Sequence, residues 1–181
     1  MERNGISVDQ LMSTIEAVKA QPDLARFQFR SKTTWKGGGH SEASIQSFFG
    51  TGHEDSSRDE PFIIVSDEPP VLLGTDQGPN AVELVLAALA SCLTVSIVYN
   101  AAARGITIQE LILTLEGDLD LHGFLGLSET IRPGYEGIWV RYRIVSDASP
   151  EQLDELMNHA KATSPVLDIV RNPVSITFIA D

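Results

Sequence analysis

NAVELVLAALASCLTVSIVYNAAARG, residues 80–105, decides the fold. Residues 84–103 form a run of twenty without a formal charge, and Cys92, the one cysteine of the chain, stands in its middle. Asn80 is a favoured N-cap, and Glu83 stands three residues on, where its carboxylate reaches back to the cap N–H and meets the positive helix end. Arg104 places a cation at the opposite end, and Gly105 accepts the left-handed conformation that closes a helix. One long helix is therefore expected. Its apolar residues fall on every side, and a helix apolar all round is either a core helix or a membrane span. The length suits a span. Ser91, Thr94, Ser96, Tyr99 and Asn100 within it, and the lack of a Lys/Arg cluster beside it, favour a buried central helix and no membrane.

The rest of the chain agrees with a water-facing protein. Mean hydropathy is close to zero, and 181 residues are enough for one domain with a sizeable core. A net charge of −12 speaks against nucleic acid or an anionic membrane as partner, since both need a basic face. A lone cysteine excludes an internal disulfide, and no basic-then-apolar leader opens the sequence, so the expected compartment is the cytoplasm.

Outward from the central run, periodicity predicts the other elements. Ser7 with Gln10 forms a capping box and Ile6 with Leu11 a hydrophobic staple, opening a first helix that Pro22 stops. Residues 1–24 read as a helical extension to a single domain at 25–181. From residue 25 the period becomes two, with Phe27, Phe29 and Trp35 on one side, which predicts a half-buried strand. Gly37-Gly38-Gly39 turns the chain into a second strand at 43–49; a polar loop at 50–60 and a third strand at 62–66 follow. Beyond the central run come a strand at 107–116, a long glycine-rich excursion at 117–137 and a strand at 138–145. Ser149, Pro150 and Gln152 cap a further helix, Ser164-Pro165 starts a short helical turn, and 174–179 alternates as a last strand. Strands in runs rather than alternating with helices predict an α+β fold with largely antiparallel sheet.

Candidate chemistry centres on Cys92. At about three turns from the helix start it lies beyond the reach of the helix dipole, so an active thiolate needs a cation or a hydrogen-bond donor from another segment. His40, His53, His122 and His159 show no ligand spacing, and no metal site or cofactor is expected. Arg141 and Arg143 read as solvent-facing strand positions.

Three blocks, GTDQGPNAVELVLAALASCLTVSIVYNAAARGI (74–106), LEGDLDLHGFLGL (115–127) and SPVLDIVRNPVSITF (164–178), resemble the OsmC family, named for osmotically inducible protein C and including the organic hydroperoxide resistance proteins. The resemblance implies antiparallel sheets wrapped around a long buried central helix in an intertwined homodimer, with strands of both chains completing the sheets. It also implies a thiol-dependent peroxidase: a first cysteine attacks the hydroperoxide, a second in a Cys-Pro motif resolves the sulfenic acid, and an arginine and a glutamate support the thiolate. Cys92 matches the attacking position. Ser164-Pro165 stands where the Cys-Pro motif falls, so the resolving sulfur is lost there. Val82 occupies the glutamate position, with Glu83 beside it but about 100° around the helix. Arg30, Lys36 and His40 are the candidates for the basic residue, with no choice among them. Two functions are expected: a one-cysteine peroxidase with Cys92 as nucleophile, acting on apolar hydroperoxides with an external thiol reductant, or a non-catalytic homodimer binding an apolar small molecule in a dimer-interface pocket.

Overall fold

The computed structural model describes residues 1–180. Every strand pairing in it is antiparallel, and helices stand apart from the strand runs, giving the α+β class. The chain divides into two compact units, Asp9–Leu84 and a second made of Met1–Val8 with Val85–Asp181.

The order begins with a small hairpin, β1 (Glu2–Arg3) and β2 (Ile6–Ser7), which periodicity does not reveal because each strand has two residues. Asn4 at its turn has φ of 54°. Its side chain takes the Ile108 N–H at 2.9 Å and donates to the Ile106 carbonyl at 3.0 Å, tying the N-terminus to the segment after the central helix. Helix α1 (Val8–Ala20) follows and buries no residue.

The Asp9–Leu84 unit is built on β3 (Lys32–Gly37), β4 (His40–Ile45) and β7 (Phe62–Ser66), in the order β3-β4-β7. Gly37 and Gly38, at φ of 127° and 56°, make the β3–β4 turn, a backbone that side-chain-bearing residues rarely adopt. The first strand starts later than the alternation predicts. Residues 22–25 form a 3₁₀ turn, and 27–31 are extended but held by one bridge, Gln28 to Phe49. Alternation marks extended backbone; a ladder also needs a neighbour for its N–H groups. The second strand likewise ends at Ile45, and the predicted polar loop contains a hairpin of β5 (Phe48–Gly50) and β6 (His53–Asp55). Phe27, Phe29 and Phe48 stack at centroid distances of 5.6–6.3 Å beside this hairpin.

The GTDQGP segment is a locked loop. Asp67 is buried, at 1% exposure. Its carboxylate accepts from the Glu68 N–H (2.8 Å), the Thr75 N–H (3.0 Å), the Thr75 hydroxyl (2.6 Å) and the Gln77 N–H (3.3 Å). Gly74 is required here, since a Cβ would stand 1.8 Å from the Glu68 carbonyl oxygen. The Thr75 hydroxyl, ahead of the backbone donors, holds the Asp67 carboxyl down at about 2. A depressed folded-state value means that this stabilisation is fully present above the unfolded value of 3.8 and is lost as the pH falls towards about 2. Asp67→Asn should therefore lower Tm at neutral pH by roughly 5 °C or more, and the difference from wild type should shrink in thermal melts taken from pH 4 down to pH 2.

Helix α2 (Ala81–Ala103) begins where the caps predict. The Asn80 N–H donates to Glu83 and the Glu83 N–H donates to Asn80 Oδ1, each at 2.9 Å. Its far end is a Schellman motif, with Ile106 N–H on the Ala101 carbonyl (2.9 Å), Gly105 N–H on the Ala102 carbonyl (3.2 Å) and Gly105 at φ of 77°. The helix has the length and composition of a membrane span, yet Leu89, Leu93, Ile97 and Ala101, one i, i+4 row, are buried.

In the second unit, β8 (Ile108–Asp118) pairs with β9 (Gly137–Ser146), with Leu111 opposite Ile144, Leu113 opposite Tyr142 and Leu115 opposite Val140. Between them lies a single-turn helix, α3 (Leu121–Phe124). The opposite sheet face carries Arg141 paired with Glu116 (2.7 Å) and Arg143 with Glu110 (3.1 Å), the solvent-facing role expected of both. Helix α4 (Pro150–Thr163) opens with the full Ser149/Gln152 capping box, and α5 (Pro165–Arg171) follows from Ser164. Ile97, Ala101, Ile106, Leu156, Met157 and Ala160 form the core, flanked by Leu111 and Ile144.

The expected last strand is not formed. Residues 174–179 have no hydrogen-bonded strand neighbour among the described residues, and Val174, Ile176 and Phe178 are 51%, 73% and 94% exposed. The alternation is real, but the chain supplies no edge beside it.

Candidate functional site

Cys92 lies on α2 between the buried row and the exposed side of the helix, and is itself half-buried with a free thiol. One hundred degrees per residue sets it about 60° from Leu89 and about 100° from Leu93. Facing it is Ser164, the residue linking α4 to α5, which is 2% exposed. The Ser164 hydroxyl donates to Cys92 Sγ at 3.2 Å across 72 residues of sequence. Its oxygen accepts the Leu167 N–H at 3.4 Å as the N-cap of α5, which leaves the hydroxyl proton for the sulfur.

The remaining expected site residues lie within the Asp9–Leu84 unit. Glu83 serves as the reciprocal cap of α2. Arg30 grips Glu54 with both terminal nitrogens, at 2.9 and 2.7 Å; this hydrogen bond raises the guanidinium pKa and lowers that of Glu54. Lys36 pairs with Glu42 at 2.7 Å, holding that carboxyl below its usual range. His40 has a buried Nε2 without a hydrogen-bond partner among the described residues. Arg30 and Lys36 each have a carboxylate partner of their own.

A cavity of about 650 Å³ opens in the second unit. Its floor is the α2 row Val85, Leu89, Leu93 and Ile97. Leu113, Ile138, Val140 and Tyr142 of the inner sheet face form one wall, and Met157 of α4 with Leu167 and Val170 of α5 form the other. Three cations stand on its lining, Arg132 from the excursion, Lys161 from α4 and Arg171 from α5, against one carboxylate, Glu136. None of the three makes an ion pair among the described residues. Cys92 is not among the lining residues, so thiol and cavity occupy neighbouring faces of one helix. Gly117 shapes this region: a Cβ there would stand 2.7 Å from the Tyr135 ring, which also lines the cavity. Sequence reading misses these cations because they come from three elements with no common motif. No group of His, Cys, Asp or Glu able to hold a metal ion occurs among the described residues.

Residues 74–179 match the OsmC family, described as OsmC-like protein. No curated protein matches the chain. Among solved structures, an OsmC-like protein from Mycoplasma pneumoniae has a TM-score of 0.60 at 17% identity, covering 81% of this chain and 89% of that one. An OsmC-like protein of unknown function from Vibrio cholerae has a TM-score of 0.59 at 13% identity, covering 78% and 92%. An organic hydroperoxide resistance protein OsmC from Legionella pneumophila has a TM-score of 0.54 at 17% identity, covering 78% and 89%. At these identities the likeness is one of fold.

Proposed function

Because this chain belongs to the OsmC family, we propose that it is a one-cysteine, thiol-dependent reductase of organic hydroperoxides, with Cys92 as nucleophile. The observation that carries this reading is the Ser164 hydroxyl donating to Cys92 Sγ. The sulfur attacks the distal peroxide oxygen, the O–O bond breaks, and the leaving alkoxide takes a proton to become the alcohol. Cys92 is left as a sulfenic acid. Without a second cysteine the return step needs an external thiol, which attacks the sulfenic sulfur and releases water. A second thiol then displaces Cys92 from the mixed disulfide and restores it. Consumption of cumene hydroperoxide with dithiothreitol should fall to the uncatalysed rate in Cys92→Ser, and equal rates in the two proteins would remove the reading.

A homodimer is part of this proposal. Val95 and Tyr99 of α2 are 54% and 46% exposed in the single chain, and the unpaired alternation at 174–179 needs a strand edge. A second copy supplies cover for both. Light scattering on the purified chain should give twice the chain mass at micromolar concentration, and a chain mass that stays single would oppose it.

A second reading is favoured by the cavity itself: a homodimer that holds an apolar small molecule and performs no redox chemistry. Its walls are aliphatic and aromatic, and its volume falls in the range of small-molecule sites.

A further inference from the structure

Resting on that second reading, we infer that the cavity takes a single-chain amphipathic anion, a long-chain carboxylate, with its tail along the α2 floor and its head on Arg132, Lys161 and Arg171. The argument is one of charge and shape. The chain as a whole carries −12. The cavity lining carries three cations to one carboxylate, the reverse of the global balance. Elsewhere lysines and arginines are spent on carboxylates, Arg141 on Glu116, Arg143 on Glu110 and Lys36 on Glu42 among them. The three cavity cations have no such partner. They come from separate elements, the excursion, the last turn of α4 and the end of α5. Cations that line one cavity without an ion-pair partner attract an anion.

The floor answers the other half of the ligand. Val85, Leu89, Leu93 and Ile97 lie four apart, so they form one continuous apolar track along the helix. From Val85 to Ile97 the helix rises about 18 Å, enough to lie along the whole of a twelve-carbon chain. A neutral apolar molecule would leave the cations unused. A small inorganic anion would leave the track uncovered. A single-chain carboxylate uses both, and a planar two-oxygen head suits the two guanidinium groups.

The test compares three probes of equal length, sodium dodecanoate, dodecanol and dodecyltrimethylammonium, each below its micellar concentration, by titration calorimetry on the full chain. Dodecanoate should bind at least about ten times more tightly than dodecanol, and the cation should bind most weakly. The triple variant Arg132→Gln, Lys161→Gln, Arg171→Gln changes only exposed side chains and should reduce the carboxylate preference to about twofold or less. Leu113→Trp, which fills the cavity, should abolish binding of dodecanoate, and binding that survives it would move the site elsewhere and overturn the inference. Equal affinity for dodecanoate and dodecanol would overturn the inference while the second reading stands. Binding of neither, as when a second copy of the chain fills the cavity, would overturn both.

Discussion

Ser164→Cys should convert a chain that cannot close a disulfide into one that does. The wild-type hydroxyl oxygen stands 3.2 Å from Cys92 Sγ. A disulfide needs its sulfurs about 2.0 Å apart, and the longer carbon–sulfur bond covers part of that gap. Peroxide treatment of the variant should consume both thiols and lower the intact mass by two hydrogens, with full reversal by dithiothreitol. The wild type should instead form a sulfenic acid that proceeds to sulfinic acid when no thiol is present. The new bond would join residues 72 apart, and closing a loop of that length restricts the unfolded chain by up to about 4 kcal/mol. The oxidised variant should therefore melt about 10 °C above its reduced form. Two thiols that both remain free under peroxide would show that Cys92 and residue 164 do not meet in solution.

The second large effect is in the core. Ile97 is fully buried among Ala101, Ile106, Leu156, Met157 and Ala160. Ile97→Ala should cost about 3–4 kcal/mol, the transfer of the lost methyl groups plus the void they leave. For a chain of this length that lowers Tm by roughly 10 °C. Val95 is two positions away on the same helix and 54% exposed in the single chain. Val95→Ala should cost well under half as much in a dilute sample. Urea unfolding of both variants, compared through their midpoints at equal slope, checks the pair. A cost at Val95 equal to that at Ile97 would mean that both faces of α2 are buried to the same extent.

The contrast between Ile97 and Val95 also marks how far the sequence reads. Both are aliphatic residues in an uncharged run, and nothing local separates them. The family resemblance at 74–106 points to the helix and to Cys92, but the choice of buried stripe depends on which residues of α4 and the β8–β9 sheet approach, from Leu111 on the next strand to Ala160 far along the chain. Strand boundaries show the same limit. The third strand, 62–66, is recovered to the residue because turn-forming residues flank it. The segments at 27–31 and 174–179 alternate just as well and form no ladder, because hydrogen-bond partners are a tertiary property.

What the sequence determined by itself is what interactions within four residues can settle. The Asn80/Glu83 box and the Gly105 terminator placed both ends of α2, and the Ser149/Gln152 box placed the start of α4. Those groups find their partners one turn away, whatever the rest of the chain does. The tertiary structure alone decided that Ser164 donates to Cys92, that Arg30 and Lys36 hold glutamates, and that Arg132, Lys161 and Arg171 share one cavity. Those meetings require the packing of elements far apart in the chain, and packing is set by the whole core.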